Sequence, residues 1–521
     1  MKAGVGRKVG VATLIMMGSI LVSRVLGMLR ESVLAALVGA GASVDAYKAA
    51  FVLPEILNHI LASGFFSVSF IPIFMKYLAG DDEEGGWRLF STLITVLGAA
   101  MVLLVIGSWV AAPQLVKLLV HGRSSDPAFM VMTLRMTRII LPAQLFFFCG
   151  GLLMAVQFAK ERFLMPALSG LCYNLSIILV GVMMTPWLGI EAFAWGALVG
   201  AGLGSFCIQW YGARKVGMRF TPLFDWRHPD LRRYIRLTLP LMFGLTMTFS
   251  TEVFSKFFGS FLPAGGIAHV DYAWRIVLAL VGFSGQALGV ASFPFLARMA
   301  AERRFEEMNR LFNSTMRYMA LVIPMAVLIF VVRHEVVHVI FERGRFTGED
   351  TRATALALAG MLVGTVAFAA QTVVNRGFYA MQNTLLPALY GSAAVALSLP
   401  IYWVGLNYWG VLGIGLAISF SALVQVQVLF AVWNRKSRNR GSVGVYRFFV
   451  KIMLLCLPVA ALLLLAQHLL QGWVGPPSLL TSFAIIAAQG GLFLLLMAAL
   501  TWCFDITEVK IVWQKIVARI R

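Results

Sequence analysis

Apolar residues run along most of this chain in long stretches, stopped by short polar, glycine- and proline-bearing segments. A helix needs about 20 consecutive apolar residues to cross a bilayer. By that measure the pattern predicts fourteen spans, with cores near 9–29, 45–75, 88–112, 131–158, 163–186, 190–212, 234–262, 268–297, 311–332, 354–381, 384–406, 409–433, 447–470 and 479–504. Several cores exceed 25 residues, so they should tilt, bend or protrude. The first run follows Lys2, Arg7 and Lys8 as a signal peptide would. No A-x-A-like site closes it, and Arg24 and Arg30 follow, so it reads as a retained helix.

The pattern also repeats. "FIPIFMK" (70–76) returns as "FPFLAR" (293–298), "RFLMPAL" (162–168) as "NTLLPAL" (383–389), and "GIEAFAWGAL" (189–198) loosely as "GVLGIGLAIS" (410–419), at offsets of 221 or 222 residues. A repeat of six spans gives two halves of one orientation, related by an axis along the membrane normal. The expected organisation is an N-terminal lobe (1–230, spans 1–6), a C-terminal lobe (231–440, spans 7–12), a two-span appendix (441–505) and a tail (506–521). In the tail Val509, Val512, Trp513, Ile516, Val517 and Ile520 follow the helical period, with Lys510, Lys515, Arg519 and Arg521 elsewhere. That is an amphipathic helix suited to the anionic phospholipid of the cytoplasmic face.

Composition agrees. Of 521 residues 60% are apolar and 13% charged, with mean hydropathy +0.84, against roughly 25% charge in soluble domains. This excludes a soluble enzyme, a disordered chain and a disulfide scaffold. The five cysteines lie in apolar runs without metal-ligand spacing and read as small hydrophobes. The net charge of +20 is explained by topology. With the N-terminus inside, 28 of 43 basic residues fall in cytoplasmic connections, seven on the other side and eight within spans. By the positive-inside rule both termini are cytoplasmic, and nothing calls for nucleic acid.

The charges within spans carry the candidate chemistry. Each costs at least about 2.5–3.5 kcal/mol at mid-membrane, so they should face one another, water or a substrate. The first repeat holds Arg24, Arg30, Glu31, Asp45, Lys48, Glu55 and His59; Arg138 lies in span 4, and Asp271 and Arg275 in span 8. Glu252 and Lys256 stand at i, i+4 as a self-compensating pair. Arg24 and Arg30 are about 9 Å apart along a helix. Guanidinium forks suit phosphate oxygens, so Arg24, Arg30 and Arg275 around a water-filled cavity would hold a phosphate or diphosphate; the alternative is mutual neutralisation or snorkelling to the interface. His334 and His338 form HExxxH, one residue longer than a zinc-protease motif, and are not read as ligands. There is no Walker A loop, so no ATP site; no cofactor or metal is expected.

The stretch "SRVLGMLRESVLAALVGAGASVDAYKAAFVLPEILNHILASGFFSVSFIPIF" (23–74) resembles the MurJ/MviN lipid II flippases, as do "ERFLMPALSGLCYNLS" (161–176), "IFERGRFTGEDTRAT" (340–354) and "RGFYAMQNTLLPAL" (376–389). The likeness covers essentially the whole chain. It implies an all-α membrane protein of two six-helix lobes plus two helices, within the larger group of multidrug and polysaccharide-lipid exporters. It further implies a bacterial inner-membrane transporter, not an enzyme. Such a transporter exports undecaprenyl-pyrophosphate-linked peptidoglycan precursor by alternating access, with the lipid tail in a groove of helices 13 and 14. Motif by motif, the resemblance places Arg24, Arg30, Glu31, Asp45 and Arg275 at the headgroup. Lys48, Asn58, His59 and Arg138 are further cavity candidates.

There are departures. Asn58 and His59 stand where the family commonly has adjacent basic residues, and Trp274 and Leu278 replace acids around Arg275. No acid lies in spans 11 or 12, where some members bind sodium. Coupling to the membrane potential or a monovalent cation is the expected energy source. The expected partners are the lipid-linked saccharide and, around a monomer, cell-wall synthesis proteins. The departures motivate an alternative, a flippase for another polyprenyl-diphosphate-linked glycan. A drug/cation antiporter would favour an acidic cavity, and a glycosyltransferase or polymerase would need a larger extracytoplasmic loop than 113–130 or 333–353.

Overall fold

The computed structural model describes residues 2–61, 69–246, 250–282, 287–381, 383, 385–473 and 478–504. Among these residues there is helix and no strand. The chain divides into two compact units, Met1–Ala268 with Arg343–Phe346, and His269–Glu342 with Thr347–Arg521. The expected tail helix, 506–521, lies outside the described residues.

The first unit holds α1 (Lys2–Val38), α2 (Ala42–Ala50), α3 (Val52–Leu61), α4 (Ile71–Ala79), α5 (Glu83–Leu119), α6 (Pro127–Ile140), α7 (Ala143–Ala159), α8 (Leu164–Leu188), α9 (Glu191–Gly200), α10 (Ile208–Lys215), α11 (Pro229–Thr246) and α12 (Ser250–Gly259). Local chemistry sets many of these ends. Asp82 accepts from the Gly85 N–H at 2.9 Å and opens α5, with Glu83 and Glu84 in the first turn and Lys117 in the last, each at its favourable dipole end. The Lys160 ammonium, 2.7 Å from Glu83, holds that carboxyl below its ordinary range. Asp126 caps α6 through the Ala128 and Phe129 N–H groups, and Pro142 separates α6 from α7. The core is aromatic: Phe74 meets Phe70 and Trp87 at 5.2 Å each, against buried Leu152 and Val156 of α7. The contact boundary at Ala268 falls beyond the expected 230/231 division because α11 and α12 pack on α3, where Lys256 pairs with Glu55 at 3.3 Å.

The second unit contains most of α13 (Gly266–Val281), then α14 (Ala287–Ala301), α15 (Phe305–Met319), α16 (Val322–Val331), α17 (Arg333–Phe341), α18 (Gly348–Leu362), α19 (Thr365–Ala380), α20 (Leu385–Lys436), α21 (Ser442–Trp473) and α22 (Leu479–Phe504). Trp433 is fully buried, stacked on Phe312 at 4.4 Å, and its indole N–H donates to Asn309 at 3.1 Å. Thr347 and Asp350 close a capping box at the start of α18. Burial raises the Asp350 carboxyl, but bonds from His269 and Thr347 outweigh it and leave the group below its ordinary value.

Among the described residues eight helical stretches are long and apolar enough to cross a membrane, or nine if α18 and α19, bent by 48°, form one span. The expected number was fourteen. Several expected spans are broken in the structure, as at Phe51 between α2 and α3. α20 counts once although Gly410, at φ 54° and ψ −124°, divides it into two helices. Gly189 between α8 and α9 has nearly the same backbone, φ 56° and ψ −137°. Side chains rarely tolerate this region. A Cβ at Gly189 would meet no atom within 4 Å, so the cost of Gly189→Ala is conformational alone. We expect that variant to lose about 1–3 kcal/mol of stability, read as a lower melting temperature in detergent; an unchanged melt would contradict a required positive φ.

Candidate functional site

Charged residues gather where α1, α2 and α8 of the first unit meet. α1 lies along α8, where Gly27 and Gly170 leave room for Asn174 and Ser23. The Asn174 amide donates to the Gly170 carbonyl at 2.9 Å and the Ser23 hydroxyl at 3.3 Å, and its oxygen accepts from Arg30 Nη1 at 3.1 Å. Arg30 Nη2 reaches Glu31 Oε1 at 2.6 Å, and the Lys48 ammonium takes the other Glu31 oxygen. Glu31 and Lys48 are buried, whereas the Arg30 side chain keeps 17% of its surface. Two cations thus share the Glu31 carboxylate, and Arg30 is the one that keeps part of its surface. Arg24, earlier on α1, is exposed. Sequence reasoning missed Asn174; an asparagine inside an apolar run is itself the signal.

Asp45 bonds a separate set of partners. It is 0% exposed and both oxygens are engaged. Oδ2 accepts from Arg123 Nη1 at 2.8 Å and the Gly265 N–H at 2.7 Å; Oδ1 accepts from the Ala268 N–H at 2.8 Å. Arg123 also donates to the Leu262 carbonyl at 3.1 Å. Asp45 thereby fastens α2 to the 121–123 turn, the 262–265 loop and the first turn of α13. Asn58 and His59 are half-buried on α3. Arg138 lies over the Trp109 ring, 4.3 Å from its centroid, beside exposed Trp195, in a groove of α5, α6 and α9.

In the second unit Arg275 is 3.5 Å from Asp271 on α13, and Trp274 packs edge-on to Phe368. A buried ladder joins Glu335, Gln467 and Gln489: Gln467 donates to Glu335 at 2.6 Å and Gln489 to Gln467 at 3.1 Å. His338 bonds Ser482 at 2.6 Å. Among the described residues no group of three or more His, Cys, Asp or Glu could hold a metal.

The first-unit cluster therefore combines a guanidinium with a buried counter-ion, an arrangement suited to an anion. Known proteins point the same way. A lipid II flippase from Burkholderia cenocepacia is 27% identical over 459 residues, covering 87% of this chain and 89% of its own. The structure of a lipid II flippase in an inward closed conformation has TM-score 0.76 at 21% identity, covering 94% of this chain and all of its own. An inward-facing multidrug transporter of the MATE family shares the fold at TM-score 0.65 and 14% identity, over 82% of this chain and 95% of its own. The family model for the lipid II flippase MurJ matches residues 34–484, and the chain belongs to that family.

Proposed function

We propose that this protein is a transporter that moves lipid II, the undecaprenyl-pyrophosphate-linked peptidoglycan precursor, from the cytoplasmic to the outer leaflet by alternating access. The observation that carries the reading is the Arg30–Glu31–Lys48–Asn174 cluster, a guanidinium and an ammonium gathered about one buried carboxylate within apolar helices. Arg30 and the exposed Arg24 contact the diphosphate; Glu31 and Lys48 hold Arg30 in place. Arg275, with Asp271 beside it, is proposed as a further headgroup residue. The membrane potential, or a monovalent cation, resets the carrier, since moving one charge through 100 mV is worth about 2.3 kcal/mol.

The same reading holds fourteen spans in the bacterial inner membrane, both termini cytoplasmic, with anionic phospholipid at that face. Two six-span repeats are supported by helix bounds. α6 starts at Pro127 and α18 at Gly348; α7 ends at Ala159 and α19 at Ala380; α8 starts at Leu164 and α20 at Leu385; α10 ends at Lys215 and α20 at Lys436. Each pair is 221 residues apart, as are Gly189 and Gly410.

Expression of the chain in a strain depleted of its own lipid II flippase is expected to restore growth and to expose labelled lipid II at the outer face. A chain that is made, reaches the membrane and does neither would sink the assignment. Rescue of a strain lacking an exopolysaccharide-unit flippase instead would favour the second reading, motivated by Asn58, His59 and Leu278.

A further inference from the structure

Arg138 poses a question that headgroup transport does not answer. It lies eleven residues into α6, about 16 Å along the helix, in a segment apolar enough to span the membrane. Its Nε is buried without a hydrogen-bond partner, and its guanidinium rests on Trp109. Arg135, one turn earlier on the same face, is two-thirds exposed and 3.1 Å from Glu191 of α9. The two arginines and one carboxylate leave one positive charge unmatched. They line a groove of about 540 Å³, which continues past Val131 into a second of about 430 Å³ beside Pro127 and Glu191. The rim residues Val131, Trp109 and Trp195 are 66%, 44% and 41% exposed, so the groove opens outward from the unit.

We propose that this groove binds an anionic phospholipid, with the phosphate on Arg135 and Arg138 and an acyl chain along Val131, Leu134 and Leu198. Three features select that occupant. An unmatched charge facing hydrocarbon is expensive, and a lipid phosphate is the anion present at every point of the bilayer interface. Guanidinium forks match phosphate oxygens in pairs. Trp109 and Trp195 suit the headgroup level, where amphipathic rings concentrate. The groove runs along α6 from Pro127, which follows the basic-poor connection 113–130 on the side opposite the cytoplasmic basic loops, to Arg138. The proposal rests on the membrane-spanning reading and does not depend on which lipid-linked glycan is carried.

The test uses the full chain, exchanged into nanodiscs of phosphatidylcholine containing phosphatidylglycerol, with retained lipids counted by native mass spectrometry. The wild type should retain one phosphatidylglycerol in preference to phosphatidylcholine. Arg135→Gln and Arg138→Gln should each weaken that adduct about five-fold, the worth of one basic residue near a lipid surface, and the double variant should remove it. Val131→Trp, which fills the groove and keeps both charges, should displace the lipid as well; melting in pure phosphatidylcholine discs checks that each variant is folded. Retention by the double variant at wild-type strength overturns the proposal. So does loss of the adduct only when Arg447 and Lys451, at the first turns of α21, are neutralised, and so does equal retention of the two lipids by the wild type.

Discussion

Arg30→Ala is expected to abolish rescue of a flippase-depleted strain while the protein is still made and inserted. Two consequences of the substitution separate cleanly. The structural one is small: Glu31 keeps Lys48 as its counter-ion, so no carboxylate is left buried and alone. The Asn174 oxygen loses one donor, but its amide still ties α8 to α1 through Ser23. The functional loss is large. A hydrogen bond to a charged group is worth about 1.5–3 kcal/mol, and a guanidinium offers two to one phosphate. Losing both weakens diphosphate binding by two orders of magnitude or more. Arg30→Lys keeps the charge without the planar fork and should be intermediate. Full rescue by Arg30→Ala would remove the residue from the site, and loss of the protein from the membrane would show that its role is in folding.

Asp45→Ala should have the largest effect on stability. It strands Arg123, whose side chain is 12% exposed, beside a carbonyl that cannot neutralise it. Breaking a buried ion pair by removing one partner costs about 3–5 kcal/mol. The Gly265 and Ala268 N–H groups also lose their acceptor, at about 1–3 kcal/mol for each one left unsatisfied. A stability of 5–15 kcal/mol, typical of folded proteins, does not absorb this easily. Asp45→Asn should be milder, because its amide oxygen can still accept one bond. Thermal unfolding in detergent decides: if Asp45→Ala melts with the wild type, the fastener carries no energy. A variant that folds normally but fails in transport would return Asp45 to the headgroup contacts expected from its sequence motif.

The two residues show how far sequence reading reached. Arg30 and Glu31 are legible because a charge inside a long apolar run is costly and so calls for a partner. Their true partners, Lys48 and Asn174, are 17 and 144 residues away. Asp45 carried the same signal, yet its partners come from a connection counted only for its topological charge and from backbone N–H groups, which have no sequence signature. Arg138, a cavity candidate by sequence, lines a groove of α5, α6 and α9. α7 is apolar around most of its circumference, and with lipid as solvent an apolar face does not mark the inside. Periodicity thus loses the information it gives in water.

By itself the sequence determined the helical class, the sites of most interruptions, the family and the list of costly charges, because each follows from local hydrophobicity or from short motifs. The 221-residue spacing of landmarks was also present in the one-dimensional pattern. Only the tertiary structure decided which charges neutralise one another and which units the contacts form. Those outcomes depend on neighbours far along the chain, whose approach is fixed by packing at small residues such as Gly27 and Gly170 rather than by any local preference.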